Sequence, residues 1–151
     1  MDTGIRRTLL NMIGTVLENT TFFVSVHYQT PTDLFPSALD YPAAHVVRQP
    51  EKLDDFTNSE KQSDFPFDII AFVHGPNDLE LLKTDAEDIV ENALMSLQID
   101  SDFTAIASMV KVDSADPTAN ALADLGVDVL ILPPFGVVRM KCRIIFDYTV
   151  R

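Results

Sequence analysis

The chain has 151 residues, a net charge of −12 and a pI near 4.4, with 46% hydrophobic residues and a single cysteine. This length suits one domain with one core, and the apolar fraction excludes wholesale disorder. A surface this acidic disfavours nucleic-acid phosphates and anionic membranes, and no apolar run approaches the ~20 residues of a membrane helix.

In chain order, Ile5, Leu9, Met12, Ile13 and Val16 fall at three- and four-residue spacings. They predict an amphipathic helix over Ile5 to Leu17, with Asp2 or Thr3 as cap. Asp2 ahead of the arginines, with Asn11 and Gly14 among the apolar positions, does not read as a secretory signal. TTFFVSVHY, Thr20 to Tyr28, predicts a strand. Pro31, Pro36 and Pro42 break the next stretch into an ordered loop leading to a short strand, His45 to Arg48. The polar segment 50–64, PEKLDDFTNSEKQSD, lacks periodicity and reads as a flexible loop or hairpin arm within the single domain 1–151.

FPFDIIAFVHG, Phe65 to Gly75, predicts a strand closed by a Gly-Pro-Asn turn. Leu79, Leu82, Ala86, Ile89, Val90, Ala93, Leu94 and Leu97 then trace a helical stripe down to Gln98. Thr84 and Glu87 resemble a capping box, which would start the regular helix near Asp85. Phe103 to Val112 predicts a strand, and Asp116-Pro117 a short helical turn stopped by Gly126. Asp128 to Leu132 and Gly136 to Val150 predict the last two strands. The fold class is α+β: a mostly antiparallel sheet with two main helices on one face, plus a short helical turn and a hairpin or flexible arm.

Chemistry is sparse. His27, His45 and His74 each follow an apolar run and show no metal-site spacing. Asp54, Asp55 and Glu60 could meet a divalent cation but lack the alternating EF-hand pattern, so solvated loop charge is the plainer reading. Asp85, Glu87, Asp88 and Glu91 complement the positive end of the helix dipole, and Asp88 and Glu91 also share a face that could meet a basic partner. Cys142 falls on the apolar face of the last strand and reads as an inert core thiol, compatible with a reducing compartment such as cytoplasm. No phosphate-binding loop or nucleophile motif is present, and no catalytic, cofactor or metal residue is nominated.

The final strand is the unusual one. Val138, Met140, Cys142, Ile144, Phe146 and Tyr148 share one face, and Arg139, Lys141 and Arg143 the other. Three basic positions in a row stand out in a chain with 11 Lys and Arg. They read either as a solvated face or charge-protected edge, or as a basic stripe that meets an acidic neighbour or lines a DNA passage.

Several segments together carry a family resemblance: the N-terminal helix, YPAAHVV at Tyr41 to Val47, the charged arm 50–64, FPFDIIAFVHG, the helix LELLKTDAEDIVENALMSLQ and the terminal RMKCRIIFDYTV. In this order the chain resembles the tail-terminator and tail-completion proteins of long-tailed bacteriophages, including the minor tail proteins of lambda-like phages. The resemblance implies a non-enzymatic virion subunit, built in the host cytoplasm and placed at the tail end near the neck. It implies a hexameric ring of this chain that stops polymerisation of the tail-tube protein and joins a connector or neck protein. DNA would only pass through the lumen, and no membrane is involved. Arg139, Lys141, Arg143, Asp88, Glu91, Asp54 and Asp55 are the expected interface residues. Two alternatives stand beside it: a phage neck or head-completion protein, and a small ligand-binding α+β domain with a pocket lined by Phe22, Phe67, Phe72 and Phe103.

Overall fold

A computed structural model describes residues 4–31, 41–55, 60–125 and 133–149. The side chains of residues 52–55, 60, 61, 125, 148 and 149 are not described within them. The expected caps Asp2 and Thr3, most of the proline-rich loop, the stop at Gly126 and the strand Asp128 to Leu132 lie outside the described residues.

Helix α1 spans Ile5–Asn19 and buries Leu9 and Ile13 of the predicted stripe together with Leu17, while Ile5, Met12 and Val16 pack half-buried beside them. Its end is set by Thr20, whose hydroxyl donates to the Leu17 carbonyl at 2.6 Å and accepts from the Phe22 amide at 3.3 Å. Thr21 then takes a left-handed φ of 61°, an uncommon conformation for a β-branched residue. This turn shortens the expected Thr20–Tyr28 strand to β1, Ser25–His27. Gly14 lets Tyr28 lie against α1, because an added Cβ would sit 1.7 Å from the tyrosine hydroxyl.

The other strands are β2 (Ala43–Arg48), β3 (Lys52–Asp55), β4 (Glu60–His74), β5 (Met109–Asp116) and β6 (Phe135–Thr149). The sheet order is β1-β2-β4-β6-β5, with β3 paired to β4. Of the described strand pairs only β1–β2 is parallel. Strands β2 and β3 lie end to end along one edge of β4, opposite residues 67–72 and 61–64. The polar segment read as a loop or hairpin arm is therefore a hairpin at its described ends.

Pro66 stands inside β4, where a missing N–H would ordinarily break the ladder. Its carbonyl accepts from the Gln49 amide at 3.0 Å, so its donor-less nitrogen faces the same side, where β2 has already given way to the 49–51 break. The ladder to β6 on the other side runs unbroken from Glu60↔Thr149 to His74↔Phe135.

Helix α2 covers Leu79–Gln98. It starts a turn and a half earlier than the capping-box reading placed it. The Thr84 hydroxyl donates back to the Glu80 carbonyl at 2.9 Å and caps nothing. The expected strand from Phe103 begins only at Met109, because Asp100 caps a short helix α3, Ser101–Thr104. The Asp100 carboxylate accepts from the amides of Asp102 and Phe103, and Phe103 drops fully buried into the core. The expected helical turn after Asp116 consists of turns ending in a 3-10 segment at Ala123–Leu125.

The main core lies between α1, α2, α3 and one face of the sheet. It takes alternate residues of the long strands: Phe65, Phe67, Ile69, Ala71 and Val73 from β4, and Val138, Met140, Cys142, Ile144 and Phe146 from β6. A second, smaller cluster covers the opposite face, with Ile70, Phe72, Val137, Val47, Tyr41, Ala121 and Leu122. Both faces of the sheet centre are thus buried, which explains why FPFDIIAFVHG reads as nearly continuous apolar sequence.

Candidate functional site

Strand β6 carries the three basic residues, and the structure separates their fates. It lies inside the sheet, paired with β4 on one side and β5 on the other, so it is not a protected edge over Arg139 to Ile145. Arg139 faces away from the helices, as alternation requires, but the second cluster covers it and only 5% of it remains exposed. Its Nε donates to Asp68 Oδ2 at 2.7 Å, and Nη2 lies at the same distance. Its Nη1 donates to the Ala121 carbonyl at 3.3 Å and to Asp124. Burial works against the charge, but Asp68 and Asp124 hold the guanidinium above its ordinary pKa. The outward, solvated position expected for Arg139 is corrected on this point: segment 118–125 folds back over the sheet and roofs it.

Asp68 also accepts from Gln49 Nε2 at 3.0 Å, so a buried charge pair is closed by an amide from the β2–β3 break. Arg143 is half-buried between Asp113, 3.2 Å from its Nε, and Asp64, 3.6 Å from its Nη1. Arg143 Nε is buried and faces Asp113 without hydrogen-bond geometry, so that contact is ionic. Lys141 is exposed, beside a cavity of about 280 Å³ lined also by Ser114, Asp116, Asn120, Asp124 and Arg139. The Asp116 carboxyl is held low, first by hydrogen bonds from Thr118 and then by the nearby Arg139 and Lys141 charges. Two of the three basic residues therefore meet carboxylates of their own chain.

Asp88 and Glu91 stand exposed on α2, which packs on the other face of the sheet from that stripe. Between them and Glu87 like charges crowd, and the Glu87 carboxyl is raised, chiefly by burial and then by Asp88 and Glu91. Asp54 and Asp55 lie in β3, opposite Gln62 and Lys61 in register. The seven expected interface residues thus fall on three separate elements, β6, α2 and β3, and Arg139 is buried.

Sequence reasoning missed the contact that ties the hairpin to α1. Glu51 accepts from Arg6 Nε at 2.9 Å and Nη2 at 2.7 Å, from Ser63 at 2.8 Å and from Arg48 at 3.1 Å. Arg6 lies over the Phe146 ring and Arg48 over Phe65. The Glu51 carboxyl is held below the ordinary glutamate value, first by the hydrogen bond from Arg6. Forty-five residues separate Arg6 from Glu51, and nothing local in the sequence pairs them.

His27 and His45 stack at 4.8 Å across the β1–β2 pair, with the His45 ring 3.1 Å from the Gln29 carbonyl. Burial lowers the His45 pKa. His74 packs instead on Phe135 and Tyr41. Among the described residues no group of three or more His, Cys, Asp or Glu is placed to hold a metal, and no helix is long and apolar enough to cross a membrane. Cys142 is buried and its thiol pushed far up by desolvation, which makes it a poor nucleophile. The aromatic pocket of the ligand-binding alternative does not form. Phe67 and Phe103 belong to the main core and Phe72 to the cluster on the opposite face, since odd and even positions of a strand point apart.

No family model matches the chain, and no curated protein matches it. Among solved structures, it is similar to a chain in the virion of a native gene transfer agent particle. The identity is 14% and the TM-score 0.47, over 88% of this chain and 85% of that one.

Proposed function

We propose that this chain is a non-enzymatic assembly subunit of a long-tailed phage, forming a ring that ends tail-tube polymerisation and offers the head-joining surface. One observation carries the assembly part of the reading: the β4–β6 ribbon outruns the core. Fifteen paired residues span about 50 Å at roughly 3.3 Å each. A compact domain of this length has a radius of gyration of about 15 Å, equivalent to a sphere roughly 40 Å across. Past Phe146 and its partner Ser63, the last buried pair among the described side chains, three more pairs carry the ribbon to Glu60 and Thr149, with β3 alongside Lys61 to Asp64. An arm of paired strands beyond a packed core is a means of reaching a neighbouring molecule. The order of segments, from α1 through the hairpin to β6, supports the tail-terminator part, because it is the order on which the family resemblance rests.

The test is to add the purified protein to tail-tube protein polymerising in vitro and to measure tube length by electron microscopy. Tubes that stop growing, with the protein at one end, are the expected result. Tubes that grow unaltered refute the terminator, and binding to a head-side connector under the same conditions would favour a neck protein instead. Solution mass by light scattering across salt concentrations reports whether the ring forms before docking.

A further inference from the structure

Helix α2 has a second stripe besides the one it buries. Leu81, Asp85, Asp88, Asn92, Met95 and Ile99 follow at spacings of four, three, four, three and four, and all six are exposed. Leu81, Met95 and Ile99 are 68, 62 and 84% exposed, and three of the five large apolar side chains found exposed among the described residues belong to this stripe. Apolar contacts at both ends thus flank an acidic middle. Beside it, between α2 and β5, lies a notch of about 130 Å³. Leu94, Val110 and Val112 give it apolar walls, Glu91 and Met95 stand at its α2 side, and Lys111, whose ammonium meets Asp113 at 3.5 Å, stands at its β5 side.

From this arrangement we infer that the outer face of α2 docks a lysine- or arginine-bearing amphipathic segment of a different protein. The stem of one basic side chain lies in the notch with its charge at Glu91. Further cations meet Asp85 and Asp88, and apolar residues cover Leu81, Met95 and Ile99. A cation there would also relieve the crowding among Glu87, Asp88 and Glu91. A second copy of this chain is a poor occupant. Its net charge is −12, and Arg6, Arg48, Lys83, Lys111, Arg139 and Arg143 already meet carboxylates of their own chain. Nucleic acid and anionic membrane are repelled by the same acids. The inference deepens the assembly reading and rests on it only in requiring a protein partner.

The probe is a synthetic helical peptide with lysines in its middle and leucines at both ends, titrated into the full chain and followed by amide chemical shifts and calorimetry. Shifts are expected along Leu81 to Ile99 and at Val110 to Val112. Asp85→Lys/Asp88→Lys is expected to weaken binding about ten-fold or more, and Met95→Ser/Ile99→Ser several-fold. The control Asp102→Lys/Asp147→Lys alters the same net charge on exposed sites elsewhere and is expected to leave affinity nearly unchanged. Equal weakening by the control would reduce the effect to general attraction and overturn the inference. So would shifts centred on another surface, or an unaltered affinity in the serine variant. A chain that stops tube growth without binding the peptide on α2 sinks this inference alone, whereas α2 binding without any effect on tubes sinks the terminator reading alone.

Discussion

Truncating Asp68 to alanine should be among the costliest single changes in this protein, because it strands Arg139. The Arg139 side chain is only 6% exposed and sits under Ala121 and Leu122, at the wall of the cavity beside Lys141. Removing one partner of a buried pair typically costs about 3–5 kcal/mol, since the remaining charge is left uncompensated. Asp124 still reaches Nη1, which argues for the lower end, about 3 kcal/mol. For a domain of this size that corresponds to a fall in Tm of roughly 6–12 °C. Urea denaturation followed by circular dichroism would give the loss as a lowered midpoint at constant m. The double variant Asp68→Leu/Arg139→Met should regain most of it, because an apolar pair of similar volume avoids desolvation altogether. A loss in Asp68→Ala below about 1 kcal/mol, the range of exposed pairs, would refute the reasoning and mean that water reaches Arg139 in solution. A double variant no better than Asp68→Ala would show instead that the loss comes from packing around residue 68.

Glu51→Gln should make stability less dependent on acid. The folded-state pKa of Glu51 is lowered, so its contribution is complete above the unfolded value, near 4.5, and is lost as pH falls through the folded one. The difference in urea midpoint between wild type and variant should therefore be largest at neutral pH and shrink below pH 4.5. Glu87→Gln should act in the opposite sense: a raised carboxyl destabilises the charged form, so the variant gains a few tenths of a kcal/mol at pH 7, and the gain fades as the wild-type carboxyl protonates. Thermal melts at pH 7 and pH 4 would check that sign. Asp100→Ala removes the α3 cap and should cost about 1 kcal/mol, with faster hydrogen exchange at the Asp102 and Phe103 amides. Unaltered exchange there would mean that burial of Phe103 alone holds the turn.

The sequence by itself determined the elements whose apolar pattern has a single period. The Ile5, Leu9, Met12, Ile13 and Val16 spacing of α1, the Ala86, Val90, Ala93 and Leu97 spacing of α2 and the alternation of β6 placed the main core and the α+β class, because each repeats a helix or strand geometry over many residues. The run FPFDIIAFVHG announced a strand, but the burial of both its faces came only with the fold. Where local hydrogen bonds compete with periodicity, the reading failed. Thr20 and Thr21 cut β1 short, Thr84 bonded backward instead of capping, and Asp100 turned the expected start of β5 into α3. What only the tertiary structure decided were the partners of charged groups. Arg139 and Lys141 look alike in sequence, two positions apart on one face of one strand. Segment 118–125 folds over the first and leaves the second in water, so one became a buried ion pair and the other stayed on the surface. Glu51 likewise reads as one more acid in a polar stretch, and only the return of the chain beside α1 brings Arg6 to it. Side-chain period is a property of a few consecutive residues, whereas the desolvation and pairing of a charge depend on whatever distant segment the fold lays against it.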